Sequence, residues 1–334
     1  MRDKRPAPPP LRHPPWLAAL IGAACAVPVD GHAAEGGPAH LELRNRETLL
    51  VIPLPDPAAG YYRGQRFVWG GMVTQLTWRN RTLFTQLRQP QDPVGPEGAA
   101  GACEEFGMDG PLGYDAAAPG ARFAKIGVGA LTRISAAPYQ FNVRYPIAEA
   151  GAWKVQSTTS SATFDQEFHL DGSWAWRYVV RIQADPDGYR IERTLSNLGS
   201  RTIDTDHYDH HMFAIDGRAI DGSWKMSYPT ALAAEHPTDQ FTVAAGTVSL
   251  TGPVQGSLWS PFTCDLSRPA QAVTLEHGES RTRIAITSSR ALSKLVLYAE
   301  RTAICPEPFT AIRVPPGQDL VWSTQYVVSD IPAP

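Results

Sequence analysis

Short runs in which hydrophobic and polar residues alternate recur over most of this chain. In the segment WRYVVRIQA, for example, Tyr178, Val180 and Ile182 lie on one side of an extended chain, and Arg177 and Arg181 lie on the other. A period of two residues is typical of a β-strand with one buried face. Similar runs are LELRNRETLLVIPL, GGMVTQLTWRNRTLFTQ, YRIERTLSNLG, TRIAITSS, KLVLYAE and DLVWSTQYVV. The pattern predicts an all-β protein.

Turn residues separate these runs, and the chain contains 28 glycines and 30 prolines. Asp187-Gly188 lies between two of the runs and predicts a hairpin. No segment shows sustained helical periodicity, although residues 120–129 and 231–235 could each hold a turn or two of helix. No linker divides residues 38–332 and no repeat of fixed period is present. The prediction is a single large antiparallel β-sandwich domain over residues 38–332.

The first 33 residues differ from the rest of the chain. A basic, proline-rich start is followed by the apolar run WLAALIGAACAVPV and by the small residues Gly31 and Ala33 around His32. This order predicts a secretory signal peptide over residues 1–33, cleaved near Ala33, and hence export to the periplasm or the exterior. A lipoprotein signal that uses Cys25 is the alternative. The apolar run is shorter than a membrane-spanning helix, so we expect none in the mature chain.

Charge, cysteine content and missing motifs argue against several classes of function. The net charge is −3 and the basic residues are scattered, so nucleic acid is not an expected partner. After the leader, Cys103, Cys264 and Cys305 remain, which allows one disulfide of undetermined pairing and one free thiol. The sequence contains no G-x-G-x-x-G, P-loop or G-x-S-x-G motif, so nucleotide binding and α/β-hydrolase chemistry lack support.

Three of the nine histidines lie within the segment 196–217. If this segment is a strand, one face holds His207, Asp209 and His211, and the other holds Tyr208, His210 and Met212. Three hypotheses follow from the segment. His210 transfers protons, because imidazole titrates near neutral pH; or His207, Asp209 and His211 bind a metal ion; or these are polar residues of a solvated sheet face.

A second candidate residue is Glu307, which lies between Pro306 and Pro308. Two flanking prolines restrict the backbone and could hold the carboxylate in one direction; the alternative is a charged loop between edge strands. A glutamate base and a histidine acid can together open a sugar hemiacetal ring, because one proton leaves the anomeric hydroxyl and another reaches the ring oxygen. This chemistry requires no cofactor.

Four motifs resemble the galactose mutarotase-like superfamily, which includes the aldose 1-epimerases. Residues 209–213, DHHMF, are similar to the family's N-H-x-Y-F strand, and residues 303–308, AICPEP, are similar to its late segment with the catalytic glutamate. Residues 314–318, with the strand that ends in Tyr326, resemble its closing turn and last strand. Residues 70–76 resemble its early strand. The resemblance extends over about residues 40–330 and implies the galactose mutarotase-like supersandwich.

The resemblance also implies a site. His210 would be the general acid and Glu307 the general base of aldose 1-epimerase-type chemistry, acting on a small sugar or glycan in an open cleft without a metal or cofactor. The family's G-R-x-A-N-R-I and L-H-G-G segments have no match, and Asp209 and Met212 replace its asparagine and tyrosine. Galactose or glucose specificity is therefore not implied.

Other residues are candidates for contact with the substrate. Arginines can bind a carboxylate or hydroxyl, an indole can stack on a sugar face, and His207 could replace the family's missing histidine. Glu104 and Glu105 are adjacent, so only one would point inward. The predicted substrate-binding residues are Arg63, Arg66, Trp69, Glu105, Lys125, His207 and Asp209. The alternatives are a carbohydrate-binding protein without catalysis, and a lyase or hydrolase that acts on acidic polysaccharide; the oligomeric state is not predicted.

Overall fold

The computed structural model of the protein describes residues 37–332. The predicted signal peptide and Cys25 lie outside the described residues. In chain order the strands are β1 (His40–Asn45), β2 (Thr48–Pro53), β3 (Gln75–Trp78), β4 (Arg81–Thr82), β5 (Ala102–Phe106), β6 (Arg122–Lys125), β7 (Gly129–Thr132), β8 (Ile147–Ala150), β9 (Trp153–Ser157), β10 (Ser161–His169), β11 (Ala175–Asp185), β12 (Gly188–Asn197), β13 (Ile203–His211), β14 (Trp224–Ser227), β15 (Ala233–Ala234), β16 (Phe241–Ala244), β17 (Thr247–Leu250), β18 (Ser257–Thr263), β19 (Ala272–His277), β20 (Thr282–Ser288), β21 (Lys294–Glu300), β22 (Ile304–Val314) and β23 (Asp319–Asp330). A short 3₁₀ helix, Ile215–Gly217, follows β13.

Two large sheets dominate the structure. The ten-stranded sheet has the order β16-β17-β14-β19-β20-β23-β12-β11-β10-β9, and the six-stranded sheet has the order β15-β18-β21-β22-β13-β5. Smaller sheets are formed by β1 to β4 and by β6 to β8. The strand pairings within residues 37–332 are antiparallel, as in the pair of β13 and β22. The predicted all-β antiparallel architecture is therefore confirmed.

The core lies between the two large sheets. Trp176 and Trp322 of the ten-stranded sheet and Leu297 and Ile312 of the six-stranded sheet belong to one buried cluster. Alternation produces this core: in β12 the inward residues include Tyr189, Ile191 and Leu195, whereas Arg190 points to solvent. Burying side chains from both sheets in this way supplies the main driving force for a β-sandwich.

Local predictions have mixed outcomes. The predicted hairpin at residues 187–188 is confirmed, because β11 pairs with β12 up to Asp185 and Gly188. The two segments that could have held helical turns instead contain the strands β6 and β15, since each pairs with a neighbouring strand. Within residues 37–332, no helix is long and apolar enough to cross a bilayer.

Candidate active site

The candidate site is built on three neighbouring strands of the six-stranded sheet, β5, β13 and β22. All five residues of β5 are buried, including Glu104 and Glu105, and so are the last five residues of β13. One face of these strands packs on the ten-stranded sheet, and residues of the segments 61–69 and 139–145 cover the other face. Charged side chains on both faces are therefore withdrawn from water, which requires partners for each of them.

His210 and Glu307 lie opposite each other where the ladder between β13 and β22 is interrupted. The ladder stops at the pair Tyr208–Phe309 and resumes at the bridge Phe213–Ile304 in the same register. Pro306 and Pro308 fall in this gap, and proline has no N–H to donate to a ladder. The sequence therefore opens the sheet at the point where the histidine and the glutamate face each other.

The two side chains are close but not tightly hydrogen-bonded. His210 Nε2 lies 3.4 Å from Glu307 Oε1, longer than a good N–H···O bond. His210 Nδ1 has no hydrogen-bond partner among residues 37–332. A buried imidazole nitrogen without a partner is unusual in a purely structural residue. The pair therefore keeps polar atoms available for a ligand.

The expected open cleft is closed over this pair. His210 is 5% exposed and Glu307 is 6% exposed. The ring edges of Phe67 and Tyr298 approach His210, each with a centroid separation of 5.9 Å. The guanidinium of Arg66 packs against the rings of Phe67 and Phe141. Aromatic packing thus shields the pair from water.

This burial controls the ionisation of the pair. Burial, reinforced by the charge of Glu105, raises the pKa of Glu307 to about 8, although Arg66 and Lys294 oppose the rise. Burial and the positive charge of Arg66 lower the pKa of His210 well below its ordinary value. At neutral pH the pair is therefore a carboxylic acid beside a neutral imidazole, with one proton shared between the two groups.

A charged cluster lies on the same face as this pair. Glu105 accepts hydrogen bonds from Arg66 Nε at 2.8 Å, from Lys125 Nζ at 2.9 Å and from the Tyr208 hydroxyl at 2.7 Å. Burial would raise the pKa of Glu105, but Lys125 and Arg66 outweigh burial and lower it. Two cations surround one carboxylate, so the cluster carries a net positive charge beside His210.

The structure does not bring His207 and Asp209 to this face. Both point to the opposite face of β13, between the large sheets, where Arg193 donates to Asp209 and to Glu104 at 2.7 Å each. The alternation of a strand accounts for this, because residues 207 and 209 cannot share a face with residue 210. The geometry therefore argues against their predicted contact with the substrate of the His210–Glu307 pair.

His211, the third residue of the predicted metal site, hydrogen-bonds other groups. Its Nδ1 is 2.6 Å from the Pro306 carbonyl oxygen, and its Nε2 is 2.8 Å from the Tyr326 hydroxyl. Both ring nitrogens are already hydrogen-bonded, so His211 is not free to bind a metal ion together with His207 and Asp209. The face is also not solvated, because all three residues are buried.

Two other candidates lie away from the pair. Trp69 is buried in an aromatic cluster and its Nε1 donates to the Gly64 carbonyl at 2.8 Å, so its ring is core rather than a free stacking platform. Arg63 lines a shallow surface pocket of about 300 Å³ with Arg144 and Tyr145. The structure therefore brings Arg66, Glu105 and Lys125 together with His210 and Glu307, but not Trp69 or Arg63.

The cysteines within residues 37–332 are free thiols. Cys103, Cys264 and Cys305 form no disulfide in the part of the chain that the structure describes. Cys103 lies on β5 opposite His210, and Cys305 lies on β22, so β13 separates the two strands. Burial raises the pKa of both of these thiols well above the ordinary value. The allowed disulfide is absent among these residues, and thiolate chemistry is not favoured.

Comparison with known proteins identifies the fold. No family model and no curated protein matches the chain. Among solved structures, the Slr1438 protein of Synechocystis sp. PCC 6803 is 16% identical, with 92% of this chain and 100% of that chain covered and a TM-score of 0.55. A galactose mutarotase-like protein of Lactobacillus casei ATCC 334 is 12% identical, with 87% and 100% covered and a TM-score of 0.55. A candidate aldose 1-epimerase of Escherichia coli K12 is 12% identical, with 87% and 99% covered and a TM-score of 0.54. The chain has the galactose mutarotase-like fold.

Three of the four motifs lie on or beside the strands of the candidate site. Residues 209–211 end β13, and residues 304–308 begin β22 beside it. Residues 314–318 form the turn into β23, whose Tyr326 reaches His211 across the core. The galactose mutarotase-like fold thus places the two catalytic candidates on adjacent strands of one sheet.

Three residues of the site were not predicted from the sequence. Tyr208 bridges Glu105 and Arg66, Tyr298 covers His210, and Arg193 joins the two sheets. Only Arg193 has a sequence signal: it occupies the inward face of β12, between Ile191 and Leu195. A charge within an apolar face indicates a buried ion pair.

Proposed function

We propose that this protein catalyses aldose 1-epimerase-type proton transfer on a sugar, with His210 as general acid and Glu307 as general base. The observation that carries the proposal is the buried contact of 3.4 Å between His210 Nε2 and Glu307 Oε1 on the covered face of the six-stranded sheet. The galactose mutarotase-like fold supports the proposal only as the architecture in which this pair occurs.

The close contact suits the chemistry. The anomeric hydroxyl and the ring oxygen are bonded to the same carbon, so the acid and the base that serve them must be close neighbours. Ring opening requires the shared proton to lie on His210, so it first passes from the Glu307 carboxyl group to the imidazole across the contact of 3.4 Å. Glu307, then a carboxylate, takes the proton of the anomeric hydroxyl while His210, then an imidazolium, gives its proton to the ring oxygen. The C–O ring bond breaks and an open-chain aldehyde forms. Closure on the other face of the carbonyl reverses both transfers and restores the pair.

The positive cluster has a role in this proposal. Arg66 and Lys125 hold Glu105 and present cationic groups beside the pair, so hydroxyl or carboxylate groups of a sugar would find hydrogen-bond donors there. Because Phe67 and Tyr298 pack against His210, a sugar reaches the pair only when these side chains move aside. Sugar identity stays outside the proposal.

The test is anomer interconversion followed by NMR on neutral, acidic and amino sugars. Acceleration over a heat-unfolded sample supports the proposal and identifies the sugar class. Line broadening or shifts without acceleration would instead support a carbohydrate-binding protein. The absence of any response to the panel would reject free sugars as substrates, and acidic polysaccharides would then test the lyase or hydrolase alternative.

The pH dependence of kcat/KM distinguishes joint acid–base catalysis by His210 and Glu307 from catalysis by Glu307 alone. Catalysis requires that the His210–Glu307 pair carries one titratable proton. The pair loses this proton near pH 8, the pKa of Glu307. We therefore expect kcat/KM to fall about tenfold per pH unit above about pH 8, and to stay level down to below the ordinary histidine range because the pKa of His210 is lowered. A rate that instead rises through pH 8 would mean that Glu307 acts as a base without His210.

A further inference from the structure

The opposite face of β13 holds a second cluster of metal-ligating side chains. Glu104, His207 and Asp209 each offer one ligand atom, and these atoms lie within 4.8 Å of one another. Each of the three residues is 3% exposed. His207 Nε2 lies 3.6 Å from Glu104 Oε2 and has no hydrogen-bond partner in the described chain. An unpartnered imidazole nitrogen is thus directed toward two buried carboxylates.

Arg193 occupies only half of the carboxylate oxygens. Its guanidinium donates to Oε1 of Glu104 and to Oδ1 of Asp209 at 2.7 Å each. Glu104 Oε2 accepts from the Tyr178 hydroxyl. Asp209 Oδ2 has only long contacts, 3.3 Å to Thr324 Oγ1 and 3.4 Å to the Tyr326 hydroxyl. In metal sites the ligating carboxylates are themselves hydrogen-bonded by an outer shell of residues, and Arg193 and Tyr178 supply such bonds here.

The charge of the cluster favours a cation. Two carboxylates face one guanidinium, which leaves one negative charge in a buried space when the imidazole is neutral. A buried net charge is costly unless an ion or a proton compensates it.

A small cavity adjoins the cluster. Its volume of about 10 Å³ is lined by His207, Asp209, Thr310 and Thr324, among others. This is the space of about one water molecule, and its polar lining offers hydrogen bonds to such a water. A metal ion held by three side chains completes a tetrahedral shell with one water.

We propose that Glu104, His207 and Asp209 bind one divalent transition-metal ion, Zn²⁺ or Mn²⁺, with a water in the adjoining cavity as the remaining ligand. The distance of 3.6 Å between His207 Nε2 and Glu104 Oε2 is close to the ligand–ligand separation of a tetrahedral site with bonds of about 2.0–2.2 Å. Asp209 Oδ2, which has only long contacts, closes the site by a small movement. Nitrogen with carboxylate oxygen suits these ions better than Ca²⁺ or Mg²⁺. The ion strengthens the junction between the sheets, and this role is independent of the epimerase chemistry.

The experiment uses the full chain, depleted of metal with a chelator and titrated with ZnCl₂ and MnCl₂. We expect calorimetry to give one ion per chain, and saturating metal to raise the melting temperature. His207→Gln should weaken binding by at least about tenfold. The matched control is His277→Gln, since His277 is also buried but bonds Ser280; this variant should bind as the wild type does.

Several results would overturn the proposal. One such result is a melting temperature that does not change when metal is added. Another is equal metal affinity of His207→Gln and the wild type, which would place the ion at a surface site. If His207→Gln fails to fold, X-ray absorption of the zinc-loaded wild type decides: one imidazole with oxygen ligands supports the site, and sulfur or a second imidazole rejects it. An NMR spectrum that shows His207 as imidazolium in the presence of saturating metal would also reject it, because the proton would then be the compensating cation.

Discussion

Replacing Glu307 with glutamine is expected to slow sugar epimerisation by about 10²- to 10⁴-fold. The amide keeps the shape of the side chain but cannot take the proton of the anomeric hydroxyl at any pH. Sugar binding should survive, because Arg66, Glu105 and Lys125 are untouched and lie in the same cluster. Anomer exchange measured by NMR gives the rate, and titration shifts of the same sugar give the affinity.

Folding of this variant can be checked through its pH dependence. The pKa of Glu307 is raised to about 8 in the folded protein, so its contribution to stability is full below the ordinary carboxyl range and is lost as the pH rises through about 8. Glu307→Gln lacks this loss and should melt above the wild type at pH 9. The control Glu276→Gln changes a surface carboxylate beside Arg283 and should leave the rate unchanged. A wild-type rate in Glu307→Gln would remove Glu307 from the mechanism.

The strands were predictable where only one face is buried. In β12, the inward residues Tyr189, Ile191 and Leu195 alternate with Arg190, Glu192 and Thr194, and this pattern is visible in the sequence. Arg193 is the charged exception on the inward face. Around the site the pattern fails, because β5 is buried on both faces and carries Glu104 and Glu105 in succession. Alternation shows that the two glutamates point apart, but not which partners meet them.

The site was predictable only in part, because its partners come from distant segments. His210 and Glu307 carry signals of their own, in a histidine-rich strand and between two prolines. Arg66 meets Glu105 only after the segment before β3 folds over the six-stranded sheet. The closure of the site by Phe67 and Tyr298 likewise depends on tertiary packing, and periodicity carries no information about it.

Replacing Arg193 with methionine is expected to lower the free energy of unfolding by about 3–5 kcal/mol, since it leaves two buried carboxylates without their cation. Arg193 is fully buried and joins β12 to Asp209 and Glu104 of the opposite sheet. Methionine fills much of the same volume, so the effect reports charge rather than a cavity. Urea unfolding followed by fluorescence measures the difference.

The control variant is Arg181→Met, on the neighbouring strand β11, which removes an exposed arginine instead of a buried one. Arg181 is exposed and lies 3.4 Å from Glu192, and such surface pairs contribute about 0–1 kcal/mol. The loss of stability in Arg193→Met should be smaller at acidic pH. Without the guanidinium, burial raises the pKa of Glu104, and protonation then removes its charge. Equal losses in the two variants would show that the charges between the sheets are solvated. In that case the cost of an uncompensated buried charge, which favours a metal ion in the further inference, would be absent as well.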